Sequence, residues 1–146
     1  MRLRPGAGDL GDLLMPRAHW NLHSGRPTIE VFLTLKSSGR SIPRQLLADS
    51  GAGTDRSGFD ILLDNQDCRD CGGSPIQPVN LGGAFSGSFP VYLLRVRIPS
   101  LAFDRRVPAV GVPRCPTGFE GIACFRFLNR FTYGNFGDIG SFGLEN

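Results

Sequence analysis

The chain has 146 residues, of which 40% are hydrophobic and 20% charged, so it carries the material for one packed domain. Its net charge is +3, but the 16 basic residues, only one of them lysine, are scattered among 13 acids, and the one dense pair is Arg105-Arg106. That pattern predicts a mixed solvated surface with no nucleic-acid footprint, and no stretch reaches the ~20 apolar residues a membrane span needs. Leu10 to Met15 is short and broken by Gly11 and Asp12, so no secretory leader is expected. A cytoplasmic protein is predicted, with Cys68, Cys71, Cys115 and Cys124 as free thiols.

Residues 1–26 show no sustained period and read as an N-terminal arm or tail, with Trp20 available to pin it to the body. A folded domain is expected over 27–146. Thr28 to Leu35 is a β-rich run ended by Ser37-Ser38-Gly39. Gln45 to Ala48 is a second short apolar run, and Gly58 to Leu63 a third with alternating Phe59, Ile61 and Leu63. Pro75 to Leu81 is a fourth. Phe89 to Ile98 and Leu101 to Val112, joined by Pro99-Ser100, predict an antiparallel hairpin. Ala123 to Phe131 carries apolar residues at spacings of three and four, the only helical stripe in the chain. Short strands separated by turn residues predict an all-β barrel or sandwich with one short C-terminal helix.

The segment with chemical content is Leu46-Leu47-Ala48-Asp49-Ser50-Gly51-Ala52-Gly53. An apolar strand runs directly into an acid, a hydroxyl and a glycine. The strand fixes the carboxylate at the edge of a core, and Gly51 leaves its N–H free to donate to that carboxylate. Asp-Ser-Gly is also ordinary turn chemistry, so its weight depends on the segments C-terminal to it. Val79 to Gly87 is a glycine-containing loop, Phe89 to Val112 a hairpin, and Gly121 to Phe131 an apolar loop entering the helical stripe.

In that order the features resemble the retropepsins, the retroviral-type aspartic peptidases of the pepsin superfamily. Their subunits carry apolar-apolar-Asp-Thr/Ser-Gly-Ala, then a flap, a hairpin, a second loop of apolar-apolar-Gly and a short helix. The resemblance spans about residues 28 to 145. It implies a closed barrel-like acid-protease fold, with Asp49, Ser50 and Gly51 as the catalytic segment. Gly82, Gly83, Ala84 and Phe85 would form a substrate-binding flap. It implies an aspartic endopeptidase acting on an extended polypeptide, with no cofactor and no metal, and no nucleic-acid or membrane partner. Since the chain holds one such motif, the second Asp49 would come from a homodimer, and Ser50 would hydrogen-bond across to the partner loop. Two residues depart from the family pattern: Cys124 replaces the usual glycine, and Arg126 stands where an acid or small polar residue is frequent. They leave open an alternative, a catalytically inactive dimeric peptide-binding module of the same fold.

Other signals carry less. Asp138-Ile139-Gly140 lacks a preceding apolar strand and reads as a turn. Cys68-x-x-Cys71 is half of a zinc motif without a second half. His19 and His23 lie four apart with no acid nearby and read as surface histidines.

Overall fold

The computed structural model describes residues 15–116 and 118–146; the apolar stretch at 10–14 lies outside them. The described residues form ten strands: β1 (Arg17–Asn21), β2 (Thr28–Thr34), β3 (Ser41–Ala48), β4 (Ile61–Asp64), β5 (Gln77–Leu81), β6 (Gly87–Ile98), β7 (Phe103–Val112), β8 (Gly121–Ala123), β9 (Thr132–Gly134) and β10 (Ser141–Glu145). Two short helices join them, α1 (Asn65–Gly72) and α2 (Phe125–Leu128).

The expected all-β barrel is present. Strands pair in the order β2-β3-β8-β4-β7-β6, and β6 pairs back onto β2, closing a six-stranded barrel with β5 added outside β6. Closure leaves only β5 as an open edge of this sheet, which limits unpaired backbone. Two pairs are parallel, β3 with β8 and β4 with β7; the others are antiparallel.

Alternation decides which side chains fill the barrel. Ile29, Val31 and Leu33 of β2 point inward, as do Leu94, Val96 and Ile98 of β6, while Glu30 and Arg95 lie outside. The central strands differ: Ile61, Leu62 and Leu63 are all buried, and so are Ala109 to Val112. Both faces of β4 and of the C-terminal part of β7 are covered, and Ile61 to Leu63 and Ala109 to Val112 accordingly hold no polar side chain. Ile61, Leu63 and Ala109 join the barrel core, whereas Leu62, Val110, Val112, Ile122 and Cys124 form a second cluster on the outer face. Each large side chain so buried contributes about 1.5–3 kcal/mol.

Two expectations about helices are corrected. Among the described residues there are two helices where one was expected. Asn65–Gly72 is helical although only Cys68 and Cys71 are buried along it. Its start is fixed by Asp64, whose Oδ1 accepts the Gln66 N–H at 2.8 Å. Arg44 of β3 then holds the helix with a two-pronged pair to Asp67, at 2.7 and 3.0 Å. The C-terminal stripe is real as burial, but only one turn is helical. Ala123 belongs to β8, and Phe127 and Phe131 pack with Phe103 in an aromatic trio with centroids 5.3–5.6 Å apart.

Within the stretch expected as an arm, Arg17–Asn21 is a strand. It pairs with β10, which pairs with β9, giving a separate three-stranded sheet. Trp20 packs, half-buried, against the barrel core. No helix among the described residues is long and apolar enough to cross a membrane.

Gly121 is where β8 threads between β3 and β4. A Cβ there would come 2.5 Å from the Leu62 carbonyl oxygen and 2.7 Å from the methyls of Leu46 and Leu63. Gly121→Ala is therefore expected to destabilise the fold by about 1–3 kcal/mol, seen as a lower urea midpoint at unchanged slope. A midpoint equal to that of the unsubstituted protein would show that the barrel opens there without strain.

Candidate active site

β3 ends at Ala48, and the chain turns at once. The Asp49 N–H donates to the Ala123 carbonyl at 2.9 Å, so the loop begins pinned to the end of β8. The Ala52 N–H donates back to the Asp49 carbonyl at 3.1 Å, and the Ala52 carbonyl accepts from the Phe125 N–H at 2.9 Å. Two loops, one after β3 and one after β8, are thus stitched together by main-chain bonds on either side of Asp49. The parallel pairing Leu46–Gly121, Leu47–Ile122 and Ala48–Ala123 brings them side by side.

Asp49 is half-buried at the floor of a cleft of about 570 Å³. The Gly51 N–H donates to its Oδ1 at 3.0 Å, and a Cβ on Gly51 would lie only 3.3 Å from that oxygen. The glycine expected to free a donor for the carboxylate does so. Leu62, Ile122 and Cys124 of the second core cluster supply the floor, so the carboxylate sits on apolar ground. Asp49 is the sole acid among the described residues lining the cleft.

The β5–β6 hairpin forms another wall. Its tip runs through a tight turn over Gly83–Phe85, and Asn80, Leu81, Gly82 and Phe85 line the same cleft as Asp49. Of the expected segment, Asp49, Gly51, Gly82 and Phe85 are brought together around one space. Ser50 is exposed, and neither it nor Gly83 is among the lining residues; Ala84 has no described side chain.

Both family departures have a local account. Cys124 has φ −85° and ψ 173°, ordinary extended backbone, so no glycine is required there. Its side chain is fully buried. Burial pushes the thiol up to about 12, with the negative charges of Asp49 and Asp60 adding to the effect and a backbone hydrogen bond with Leu62 opposing it. Arg126 reaches back across the loops: its Nη1 donates to the Ser57 carbonyl at 2.6 Å, and its Nε lies 3.4 Å from Asp60 Oδ1.

Asp60 is a buried residue that the motif did not reveal. Its side chain is fully buried, and Oδ2 accepts from Arg130 Nε at 2.6 Å. Its backbone bridges as well, donating to the Pro108 carbonyl and accepting from the Cys124 N–H. One carboxylate therefore ties the chain leaving the Asp49 loop to α2 and the residues after it. The signal was a lone acid in Phe59-Asp60-Ile61-Leu62-Leu63: an apolar run that buries an acid must supply it a cation.

The remaining candidates separate from the cleft. Asp138 sits in a turn, its Oδ1 accepting from the Gly140 N–H at 3.0 Å. His19 lies on β1, edge-on to Phe136, and His23 lies edge-on to Phe119. All four cysteines are free. Burial raises Cys68 to about 12, and Cys71 and Cys115 to about 11. Among the described residues, no group of three or more His, Cys, Asp or Glu is gathered as a metal site. In comparisons with known proteins, no family model, curated protein or solved structure matches the chain.

The contrast between buried and exposed charge is measurable. Asp60→Ala leaves Arg130 facing an empty, apolar site and should destabilise by about 3–5 kcal/mol, whereas Glu145→Ala, which breaks the exposed pair with Arg17, should cost under about 1 kcal/mol. Urea unfolding of both variants checks the contrast; equal losses would refute it. Thiol reactivity is a second measure. Because thiolate is the reactive form, iodoacetamide at pH 8 should label the native protein slowly and all four cysteines only after unfolding. Fast native labelling of Cys124 would mean that the cleft floor opens.

Proposed function

We propose that the protein is an aspartic endopeptidase of the retropepsin type, active as a homodimer. The observation that carries this reading is the Asp49 loop. A carboxylate at the end of a barrel strand is bonded to a glycine N–H two residues on, its loop is held by main-chain bonds to a second loop, and it shares a cleft with a glycine-bearing hairpin. The barrel, with its two parallel pairs and the short helix after β8, agrees with the fold the resemblance implies.

Peptide hydrolysis of this kind needs two facing carboxylates that share one proton, since two like charges a few ångströms apart do not both ionise cheaply. The ionised group takes a proton from a water held between the pair. The water oxygen attacks the scissile carbonyl carbon, while the protonated group donates a hydrogen bond to the carbonyl oxygen. The tetrahedral adduct then collapses, the C–N bond breaks, and the amine leaves with a proton. Asp49 is the sole acid among the described lining residues, so a twofold partner supplies its own copy. The substrate lies extended beneath the β5–β6 hairpin, its main chain adding to the sheet hydrogen bonding and its side chains falling alternately to either side.

The decisive measurement combines solution mass with cleavage of a peptide library across acidic to neutral pH. A dimer is expected, with a pH–rate profile that falls on both sides, because the pair fails when it holds two protons or none. Asp49→Asn should retain the dimer mass and lower cleavage at least about 100-fold. Undiminished cleavage by that variant ends the proposal. A dimer that binds peptides but cuts none supports the inactive binding module.

A further inference from the structure

Among the described residues lining the cleft there is one cation as well as one acid. Arg26 lines it together with Asp49. The backbone of Arg26 is tightly set. Its N–H and carbonyl exchange bonds of 3.0 Å with His23 across a two-residue turn, where Ser24 and Gly25 have φ of 52° and 75°. Its carbonyl also accepts from the Thr28 hydroxyl. The next residue's carbonyl, that of Pro27, accepts the Ala48 N–H, so Arg26 is anchored one residue from the strand end that presents Asp49. The guanidinium lies 5.5 Å from the Phe119 ring centroid, a placement that holds the side chain without neutralising it.

Arg26 is exposed and, like Arg40, Arg56, Arg69, Arg105, Arg106 and Arg114, has no salt-bridge partner among the described residues; what sets it apart is that it alone of these cations lines the cleft. Arg17, Arg44, Arg95, Arg97, Arg126 and Arg130 each pair with a carboxylate. Among the described residues no carboxylate comes within 4.0 Å of the Arg26 guanidinium. Yet the surface around it is largely apolar, with Leu47, Ile122 and Pro116 lining the same cleft. A guanidinium held at the edge of an apolar cleft, with its donors unclaimed by an acid, favours an anionic occupant, because charge-assisted bonds strengthen where water is displaced.

We propose that Arg26 is a specificity-determining residue that selects peptides carrying an aspartate or glutamate side chain within two residues of the scissile bond. The inference rests on the peptidase reading for the word scissile, but the anion preference itself is testable without cleavage. Leu62, Phe85 and Ile122 leave the other side-chain positions to apolar residues, so each Arg26 is expected to take one acid of an otherwise apolar peptide.

The test uses fluorescein-labelled apolar hexapeptides that differ only in glutamate against glutamine at each position in turn. Binding is measured by anisotropy on the full-length Asp49→Asn protein, so that hydrolysis does not interfere. At one central position the glutamate peptide should bind roughly 10- to 100-fold tighter, the span that one hydrogen-bonded charge contact supplies, and the gap should narrow as salt rises. Arg26→Leu should bring the glutamate peptide to the level of its glutamine twin, and Arg26→Glu should transfer the preference to a lysine peptide. On the unsubstituted protein, cleavage of the same set should show the same preference. Equal behaviour of the twins at every position, including no binding of either, overturns the proposal. So does an Arg26→Leu variant that weakens both twins by the same factor, or one whose solution mass falls to the monomer, which would make Arg26 an interface cation. A binding preference that persists while the unsubstituted protein cuts nothing removes the peptidase reading and keeps the anion-selective cleft.

Discussion

The site depends on the parallel contact between β3 and β8. Parallel neighbours have no tight turn to bring them together, so a long crossover has to place one beside the other. Here nearly the whole barrel is that crossover: β4, α1, β5, β6 and β7 all lie between Ala48 and Gly121. The bonds beyond the strand ends, Asp49 N–H to Ala123 and Phe125 N–H to Ala52, join the two ends of that crossover. The carboxylate is thus positioned by this long-range pairing together with its own loop, where the Gly51 N–H holds Oδ1. That is why a substitution at Gly121, which carries no chemistry, bears on the geometry around Asp49.

Asp60 complements that backbone contact with charge. A fully buried carboxylate is a poor way to gain stability, because desolvation offsets most of the attraction to its partners. What it supplies is position. Arg126 and Arg130 lie one turn apart, on and just after α2, and converge on the one carboxylate, Arg126 at Oδ1 and Arg130 at Oδ2. A helix of four residues has little stability of its own. Anchored at Asp60 and by the Phe103–Phe127–Phe131 trio, it holds the second loop against the first. Asp60 Oδ1 has no hydrogen bond within the protein, so the ion pair with Arg126 at 3.4 Å is the compensation that oxygen has.

Strands with one wet face were legible from alternation, but Gly58 to Leu63 read as alternating too, whereas Leu62 is buried and both faces of β4 are covered. The motif at Asp49 was legible because strand, acid and glycine succeed one another without interruption. α1 was not, since a helix with two buried cysteines on an otherwise polar surface has almost no apolar stripe. Its signature was Asp64 three residues before Asp67, a cap without a hydrophobic period behind it. β1 escaped notice for a different reason: its partner is β10, at the far end of the chain, and Arg-Ala-His-Trp-Asn has no strand character until that pairing exists. Asp60 and Arg26 share a third kind of invisibility. Each is an ordinary charged residue whose meaning comes from what surrounds it, a cation in one case and the cleft it shares with Asp49 in the other.

Symmetry adds a constraint on how such a cleft reads its substrate. In a twofold dimer the two Asp49 carboxylates straddle the axis, and each copy brings its own Arg26. A peptide has a direction and cannot obey the twofold. The two guanidinium groups therefore meet different residues, one on each side of the bond being cut. A single acid satisfies one of them and leaves the other in an apolar setting beside a vacant partner position, an arrangement that favours peptides with an acid on both sides. A monomeric cleft offers no such pairing. The spacing of acids in the peptides preferred thus reports the assembly itself, with one preferred acid for a lone cleft and two, placed about the scissile bond, for the symmetric dimer.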